Sequence, residues 1–290
     1  MSNDKCQINL KNNKSKKIFS RFGFVRYIWV LIFGFWISSF AHAVPQRIIS
    51  TMPSITEILF AVGAGDKVVG VTTQCNFPEK AKKIEKVGGM TVNLEKIISL
   101  KPDLIVMLQD AQSHDVWRLR ARNLPVISVN PHTIDETLDS IQYIGSNALV
   151  TWEARRLVLN LRYRLNMIDR GNRNKPDREI FVMVGYNPLV SAGRDTFIDD
   201  IIKKAGGKNV IEGKSSYPQI SFEELYKLNP EYIIIPDGII TEKALRSDQK
   251  LGRLTAVQNG KILFINPDII FRPGPRVIDA VEQISEFIEE

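Results

Sequence analysis

Two glutamates stand at matching positions in two similar segments of the chain. Glu95 is the third residue of segment 93–106, NLEKIISLKPDLIV, and Glu223 is the third residue of segment 221–234, SFEELYKLNPEYII. An acid in the first turn of a helix is stabilised by the helix dipole by about 0.3–1 kcal/mol, which would explain each glutamate as a local feature. Equivalent placement in both halves also suits a two-point contact with a symmetric partner. The sequence therefore leaves two interpretations of Glu95 and Glu223, as acids that only stabilise their helices or as docking residues.

The chain offers little metal or catalytic chemistry. Beyond residue 43 it has two histidines, His114 and His132, and neither has a partner at the spacing of a metal site. The sequence contains no Gly-x-Ser-x-Gly elbow and no phosphate-binding loop. Cys75 is the only cysteine beyond residue 43, and we predict a buried thiol rather than a nucleophile. The sequence therefore predicts no catalytic residue and no metal site.

The glycines of residues 63–70, GAGDKVVG, are similar to a dinucleotide-binding fingerprint. That fingerprint follows a strand and opens a helix, whereas this segment follows a predicted helix and leads into a predicted strand. We therefore predict the end of a helix and a turn.

The first 43 residues have the order of a secretory signal peptide. They contain seven basic residues and one acid, followed by the apolar run Tyr27–Phe40 and the triplet Ala41-His42-Ala43. We predict cleavage after Ala43. The alternative is an uncleaved membrane anchor, although the run is shorter than the about 20 apolar residues that a spanning helix needs. Residues 44–290 carry 32 basic and 31 acidic side chains, so the net charge gives no reason to expect nucleic acid or an anionic membrane as a partner.

Alternating apolar strands and amphipathic helices must position these residues. We predict strands at residues 47–51, 68–71, 104–108, 126–129, 179–184, 233–235 and 262–265, and helices at residues 54–62 and 196–204. Ser54 with Glu57, and Ser221 with Glu224, have the spacing of helix capping boxes. Unbroken apolar strands that alternate with helices are typical of parallel sheets covered on both faces.

The repeat of segment 93–106 at 221–234 predicts two similar lobes. In each copy a proline, Pro102 or Pro230, ends the helix before the next strand. Residues 151–169 lack Gly and Pro and place apolar residues at helical spacing, which predicts one long rigid helix between the lobes. The predicted fold class is α/β, with two Rossmann-like lobes whose parallel-rich sheets are flanked by helices. The predicted domains are a signal peptide at 1–43, an N-terminal ligand-binding lobe at 44–147, a linker helix at 148–172 and a C-terminal ligand-binding lobe at 173–290.

Six short motifs occur in the order and spacing of one known family. They are residues 47–57 (RIISTMPSITE), 69–73 (VGVTT), 77–78 (FP), 93–103 (NLEKIISLKPD), 205–209 (AGGKN) and 272–276 (RPGPR). With these motifs the chain from Arg47 to Glu290 resembles the solute-binding proteins of ABC importers that carry cobalamin, ferric siderophores or haem.

The resemblance implies a bilobal, helix-linked receptor without catalytic activity that shifts little when its ligand binds. It implies a receptor in the periplasm that delivers its ligand to an ABC permease dimer in the inner membrane. A monomer is the default expectation. In this family one glutamate of each lobe forms salt bridges with arginines of the two permease subunits, and these acids fall on Glu95 and Glu223. Exposed ion pairs of this kind add modest energy, but they set the register and speed the encounter.

The resemblance also places ligand contacts in the loop after the second strand and in a late loop. Independently, ligands of open α/β sheets lie at the carboxyl ends of the strands. The predicted ligand-binding residues are Met52, Gln74, Phe77, Gln109, Tyr186, Asn187, Asp268, Ile269, Ile270, Phe271 and Arg272. Their mixture of apolar surface and hydrogen-bonding groups suits a large amphipathic ligand.

The predicted ligand is cobalamin or a related corrinoid, as transported cargo and with no cofactor of the protein itself. Asp268 and Arg272 match the cobalamin-binding pattern. Gln74 stands where the family has a loop tyrosine, and Ile269 stands where it has a tryptophan.

Other ligands and other functions compete with this interpretation. Haem would use Tyr186, Tyr217 or His114 as an axial ligand, and an anionic ferric siderophore would use Arg272 and Arg194. Two further alternatives are an exported α/β enzyme and a sensing module tethered by an uncleaved segment 27–40. The sequence has no nucleophile motif and no phosphate-loop motif, which makes the enzyme the weaker alternative.

Overall fold

The computed structural model describes residues 44–173, 175–213 and 215–289, and Pro45–Glu290 forms one compact unit. The predicted leader, with the apolar run Tyr27–Phe40 and the cleavage site after Ala43, lies outside the described residues. Among the helices of the described part, none combines the length and the hydropathy that a transmembrane span requires.

The first lobe is built on a four-stranded parallel sheet with the order β2-β1-β3-β4. Apolar side chains cover both faces of this sheet, so the two central strands, β1 and β3, are almost completely buried. The strands are β1 (Ile48–Ser50), β2 (Val68–Gly70), β3 (Leu104–Leu108) and β4 (Val126–Val129). The helices are α1 (Pro53–Ala61), α2 (Leu94–Ser99), α3 (Ser113–Arg120) and α4 (Ile134–Asn147), with short 3-10 turns at Gly65–Lys67 and Glu79–Lys83.

One long helix, α5 (Thr151–Asn172), leads from the first lobe to the second and contains 22 residues. It packs closely on α4 because Gly145 has no side chain. A Cβ atom on Gly145 would lie 2.3 Å from the Cβ atom of Ala154. The helix predicted from the apolar pattern of residues 151–169 is observed and extends to Asn172, whereas residues 148–150 of the predicted linker precede it.

The second lobe repeats the arrangement on a five-stranded sheet. Its long strand β5 pairs in parallel with β7 and β8 and antiparallel with β6. Strand β8 in turn pairs in parallel with β9. The strands are β5 (Arg178–Gly185), β6 (Val190–Ser191), β7 (Gly207–Asn209), β8 (Tyr232–Pro236) and β9 (Ile262–Ile265). The helices are α6 (Phe197–Lys204), α7 (Phe222–Leu228), α8 (Glu242–Ser247), α9 (Thr255–Gln258), α10 (Pro267–Ile270) and α11 (Val277–Glu289), with a 3-10 turn at Leu251–Arg253.

The two lobes are related element by element. The order β2-β1-β3-β4 of the first sheet corresponds to β7-β5-β8-β9 of the second. The repeated segments form α2 and α7, and the side chains of Asn93 and Ser221 cap them by accepting a backbone N–H three residues later. Lys101 and Asn229, which precede the two prolines, both adopt a left-handed conformation, with φ of 46° and 39°. Because a residue before proline does not continue a right-handed helix, the two repeated segments leave their helices at the same point. The predicted repeat is confirmed.

A single hydrophobic core runs through both lobes. It contains Ile48 and Val106 of the first sheet, Val158 of α5, and Val182 and Ile234 of the second sheet. Each sheet has a separate, smaller core on its other face. Because close-packed interiors resist rearrangement, the shared core holds the two sheets in a fixed relation.

One local prediction is wrong. Ser54 does not cap α1, because the helix already begins at Pro53 and Met52 is its N-cap residue without a side-chain cap bond. The Glu57 carboxylate instead binds two arginines. The predicted turn at residues 63–70 is confirmed, since Gly63 follows α1 with φ of 81°.

Candidate functional site

The loops of the candidate site follow the carboxyl ends of the parallel strands. Thr51 and Met52 follow β1, residues 71–78 follow β2, and Asn266 with α10 follows β9. In α/β units each helix returns antiparallel to the strands, so the amino ends of α2 and α7 face the same edges. The site residues therefore come from loops that a rigid pair of sheets holds in place.

Glu57 is the centre of an ionic cluster that joins the two lobes. It lies on α1 and is 3% exposed. Its carboxylate accepts a hydrogen bond from Arg272 at 3.0 Å and two from Arg276 at 2.8 and 2.7 Å. Both arginines belong to the segment after α10. The hydrogen bond to Glu57 is the main reason that the pKa of Arg276 is raised.

Asp268 extends the ionic cluster towards solvent. Its carboxylate accepts a hydrogen bond from the Asn76 amide at 2.8 Å and pairs with Arg272 at 2.5 Å. Arg272 also donates to the Asn76 side-chain oxygen at 2.7 Å. The loop after β2 and the segment after β9 are thus tied to each other, and two carboxylates balance two guanidinium groups.

Exposed apolar side chains border the ionic cluster. The guanidinium carbon of Arg276 lies 4.0 Å from the ring centroid of Phe77, a cation–π distance, and Phe77 is 44% exposed. Phe271, next to Arg272 in the chain, is 43% exposed. Aromatic surface beside fixed hydrogen-bonding groups is the composition of a site for a large amphipathic molecule.

Two buried polar residues that the sequence did not single out support a neighbouring loop. The amide of Gln112 donates to the carbonyl oxygens of Thr51 and Met90, and its oxygen accepts from the Thr51 hydroxyl at 2.5 Å. The Asp115 carboxylate accepts the N–H of Val92 at 3.0 Å. These bonds hold Met90, which is 64% exposed, beside the end of β1. A polar residue at the start of a helix was the only sequence signal.

The sequence also missed Glu57 and Arg276 as site residues. Glu57 has the spacing of a capping residue, which predicted a local role in its helix rather than an ion pair with the late loop. The two arginines that flank Pro-Gly-Pro at residues 272–276 were a usable signal, because paired arginines that become buried require carboxylates.

Tyr186 and Gln109 are held by partners within their own lobes. The Tyr186 hydroxyl donates to Asp248 at 2.6 Å, and this hydrogen bond, together with burial, raises the pKa of Tyr186. The Gln109 side-chain oxygen accepts from Ser128 at 2.8 Å. Within the described ranges, neither side chain forms a hydrogen bond with the ionic cluster.

The remaining predicted ligand contacts lie at different depths. Ile269 and Ile270 are 5% and 0% exposed and belong to the shared core, so they anchor α10. Met52 is half-buried against the same core. Gln74 and Asn187 are exposed. The structure therefore brings Phe77, Asp268 and Arg272 together and leaves the two isoleucines beneath them.

Glu95 and Glu223 occupy equivalent exposed positions. Each is the second residue of its helix, α2 or α7. No ion pair involves either side chain in the part of the chain that the structure describes. Their carboxylates are accessible to a partner on the edges where the loops of the site lie.

Metal ligands are not clustered in the described residues, which contain no group of three or more His, Cys, Asp or Glu side chains able to hold an ion. Cys75 is 1% exposed, and its sulfur lies 3.2 Å from the hydroxyls of Thr56 and Thr72, which confirms the predicted buried thiol. His114 is exposed on α3 and stacks near Trp117, with ring centroids 6.5 Å apart.

Comparison with known proteins gives a consistent result. The periplasmic binding protein family matches residues 48–269. The ABC transporter substrate-binding lipoprotein YvrC of Bacillus subtilis is 34% identical to this chain. The match covers 84% of this chain and 80% of YvrC.

Solved structures give the same result for the fold. The periplasmic vitamin B12 binding protein BtuF of Vibrio cholerae superposes with a TM-score of 0.75 at 27% identity, covering 85% of this chain and 97% of BtuF. A periplasmic heme binding protein of Pseudomonas aeruginosa superposes with a TM-score of 0.73 at 24% identity, covering 83% of this chain and 91% of that protein, which shows a common fold.

Proposed function

Because the chain belongs to the periplasmic binding protein family, we propose that it captures cobalamin or a related corrinoid between its lobes and delivers it to an ABC permease. The chain is a substrate-binding protein of an ABC transporter. The corrinoid is cargo, and no step of catalysis by the protein is required.

The observation that supports this ligand most strongly is the composition of the lobe junction, by which we mean the ionic cluster around Glu57 and the aromatic side chains beside it. Phe77 and Phe271 present exposed aromatic surface, and Asp268 presents a carboxylate between the loops that carry them. A corrinoid combines a broad apolar ring with peripheral amide groups, which donate to carboxylates. The vitamin B12 binding protein of Vibrio cholerae has a similar fold and sequence, which supports the same class of ligand.

Haem and ferric siderophores, the alternative ligands, fit this junction less well. A tyrosine ligand of haem iron binds as the phenolate, but the Tyr186 hydroxyl is engaged by Asp248 and its pKa is raised. Burial also raises the pKa of Tyr217. An anionic siderophore needs free cations, whereas Arg272 is paired with Glu57 and Asp268, and Arg194 lies 3.7 Å from the Glu212 carboxylate. The site therefore favours a ligand that requires neither a tyrosine phenolate nor free cations.

The ligand contacts of the proposal are the accessible members of the predicted set. They are Met52, Gln74, Phe77, Gln109, Tyr186, Asn187, Asp268, Phe271 and Arg272, with Ile269 and Ile270 as support beneath them. The lobes at 44–147 and 173–290 enclose the ligand, and the helix within 148–172 sets their separation.

The protein works as a periplasmic monomer in this proposal. The order of basic, apolar and small residues in 1–43 supports export and cleavage after Ala43. An uncleaved anchor is the alternative, and amino-terminal sequencing of the protein recovered from the periplasm separates the two.

Titration with candidate ligands tests the proposal. The protein is titrated with cyanocobalamin, haemin and a ferric hydroxamate siderophore, while Trp fluorescence and absorption are recorded. We expect saturable binding of cyanocobalamin alone, with a raised melting temperature that follows ligand concentration. A saturable shift and sharpening of the haemin Soret band, or binding of the siderophore instead, would overturn the corrinoid assignment. Asp268→Asn should weaken cyanocobalamin binding by roughly tenfold, as for one charge-assisted hydrogen bond.

Docking on the permease is tested separately. Glu95→Lys with Glu223→Lys should abolish transport and leave ligand affinity unchanged, because both acids are exposed and lie outside the ionic cluster. The control carries the same charge change at two other exposed acids, Asp66→Lys with Glu286→Lys, and should transport normally. Loss of ligand affinity in the first variant would show that its acids are structural.

A further inference from the structure

The outward side of α5 carries a row of large apolar side chains. Trp152, Leu159, Tyr163 and Met167 are 70%, 62%, 63% and 49% exposed. Their spacing of seven, four and four residues places them on one side of the helix, opposite the buried face that contains Val158. The row extends over about 22 Å at 1.5 Å per residue.

Three arginines lie in the same row. Arg155, Arg156 and Arg170 are exposed and follow the helical spacing of the apolar residues. Within residues 44–173, 175–213 and 215–289, none of the three is within salt-bridge distance of a carboxylate. By contrast, Arg162 and Arg164 at the edges of the row are paired with acids of α4 and α11. We call these seven residues, four apolar and three basic, the α5 stripe.

We propose that the α5 stripe binds the surface of an anionic phospholipid membrane, with the helix parallel to the surface. Trp and Tyr rings are favoured at the boundary between headgroups and acyl chains, and arginines bind lipid phosphates while their apolar stems remain near that boundary. Anionic lipids attract cationic side chains that lie within a Debye length of the surface.

The arrangement of charge selects this partner over a second copy of the chain. Two copies packed through the α5 stripe would bring their arginines together, which like charges oppose. Arg155 and Leu159 border a groove between α4 and α5, and the other five residues of the stripe lie outside it, as a contact with a broad, deformable surface requires. Since residues 44–290 are nearly neutral overall, the attraction resides in this local set of arginines.

Binding through the α5 stripe leaves the candidate site accessible. The inner face of α5 packs mainly against α4, α6 and α11, whereas the site is formed by loops at the carboxyl ends of the strands. The α5 stripe would therefore keep a carrier close to the membrane independently of which ligand it carries.

Vesicle binding tests the proposal on residues 44–290. Pro45–Glu290 is a compact unit that contains both sheets and all three cores, and BtuF matches this part over 97% of its own length. Vesicles of phosphatidylcholine alone, or with an equal amount of phosphatidylglycerol, are sedimented with the protein at 50 mM and 500 mM NaCl. We expect at least tenfold stronger binding to the anionic vesicles at low salt, and loss of most binding at high salt. With Trp117→Phe, the emission of Trp152 should shift to the blue on binding.

Matched variants assign the binding to the stripe. Arg155→Gln with Arg156→Gln and Arg170→Gln should reduce binding to anionic vesicles at least tenfold, as should Trp152→Ser with Leu159→Ser and Tyr163→Ser. These side chains are exposed, so the melting temperature should stay within a few degrees. The controls, Lys80→Gln with Lys83→Gln and Lys243→Gln, and Trp117→Ser alone, change exposed residues elsewhere and should bind within twofold of the parent.

Three outcomes would overturn the inference. The first is absence of binding to both kinds of vesicle. The second is equal binding by the parent and the stripe variants, which would place the contact elsewhere. The third is a dimer in sedimentation velocity without vesicles that the stripe variants lose, which would make a second copy the partner.

Discussion

At the scale of single residues, the ionic cluster around Glu57 shows how a buried charge serves a binding site. The side chain of Glu57 is 2% exposed, and those of Arg272 and Arg276 are 16% and 20% exposed. Removing such groups from water costs several kcal/mol each, which their mutual hydrogen bonds offset. The result is that Asp268 and Phe77 are presented from a fixed base rather than from free loops.

Loss of the central carboxylate should be strongly destabilising. Glu57→Gln leaves two partly buried guanidinium groups with a neutral partner, and we expect the free energy of unfolding to fall by about 2–4 kcal/mol. Urea denaturation measures this loss. Glu95→Gln, at an exposed glutamate, should change stability by less than about 0.5 kcal/mol. Equal stability of the two variants would show that the cluster adds nothing to folding.

The Tyr186–Asp248 hydrogen bond should make stability depend on pH. Burial alone would raise the pKa of Asp248, but hydrogen bonds from Tyr186 and from the backbone N–H groups of Leu251 and Lys250 outweigh it, and the pKa is lowered. A lowered pKa means that this stabilisation is present above the ordinary aspartate pKa of about 3.9 and is lost as pH falls through the folded-state value. The raised pKa of Tyr186 means that its stabilisation is present below about pH 10 and is lost as pH rises further.

We expect Tyr186→Phe to lower the free energy of unfolding by about 1–2 kcal/mol at pH 7, and the difference from the parent to shrink below about pH 4. Tyr226→Phe is the matched control, because the Tyr226 hydroxyl donates to the uncharged carbonyl of Lys250 at 2.7 Å. Its effect should be smaller and constant with pH. Urea denaturation from pH 3 to pH 8 compares them, and a constant difference for Tyr186→Phe would contradict the assignment.

At the scale of elements, the repeated helix–proline–strand unit explains why one acid projects from each lobe. The cap residue, Asn93 or Ser221, fixes where the helix starts, and the acid two residues later is thereby fixed as well. A left-handed residue and a proline then direct the chain into the central strand β3 or β8. Local sequence signals thus set the direction of both glutamates.

Removal of a cap tests this element. Ser221→Ala leaves the Glu224 N–H without its acceptor at 3.1 Å and should lower the free energy of unfolding by about 1 kcal/mol. Ser113→Ala is the control, since Ser113 is an exposed first-turn residue of α3 and makes no side-chain hydrogen bond within the described chain. It should stay within about 0.5 kcal/mol of the parent. If both variants lose the same stability in urea, capping by Ser221 is not the cause.

At the scale of the whole molecule, the lobes are joined by more than a hinge. The shared core continues through α5 from one sheet to the other. Between α4 and α6, the Ile134 N–H donates to Asp200 at 2.7 Å and Lys204 pairs with Asp135 at 2.8 Å. The side-chain hydrogen bond from Lys204 is the main reason that the pKa of Asp135 is lowered. Contacts on this scale favour a carrier that closes little around its ligand.

Distance measurements between the lobes test this rigidity. Spin labels on Lys83→Cys and Lys243→Cys, both at exposed positions, should shift their mean separation by less than about 2 Å when saturating ligand is added. The labels are introduced into residues 44–290, which lack Cys6, and Cys75 does not interfere because it is buried. A pair within the first lobe, Lys83→Cys with Arg122→Cys, gives the reference value for no movement. A larger shift in the interlobe pair alone would require a mobile hinge.

Local patterns of residues were enough to predict most of the elements, the repeat and the general position of the site. Its apolar runs predicted strands β1 and β5 and helices α1 and α6 to within one residue at either end, because burial on both faces of a parallel sheet leaves a continuous apolar signal in the strands. They did not predict the two-residue antiparallel strand β6. The equivalence of Glu95 and Glu223 also followed from local caps and prolines alone. The tertiary structure decided which side chains of the late loop are accessible and which are not. Ile269 and Phe271 are both apolar, and only packing places one in the core and the other at the surface. The ionic cluster could not be predicted either, since Glu57 and Arg276 are 219 residues apart in the chain and meet only when the two lobes pack together.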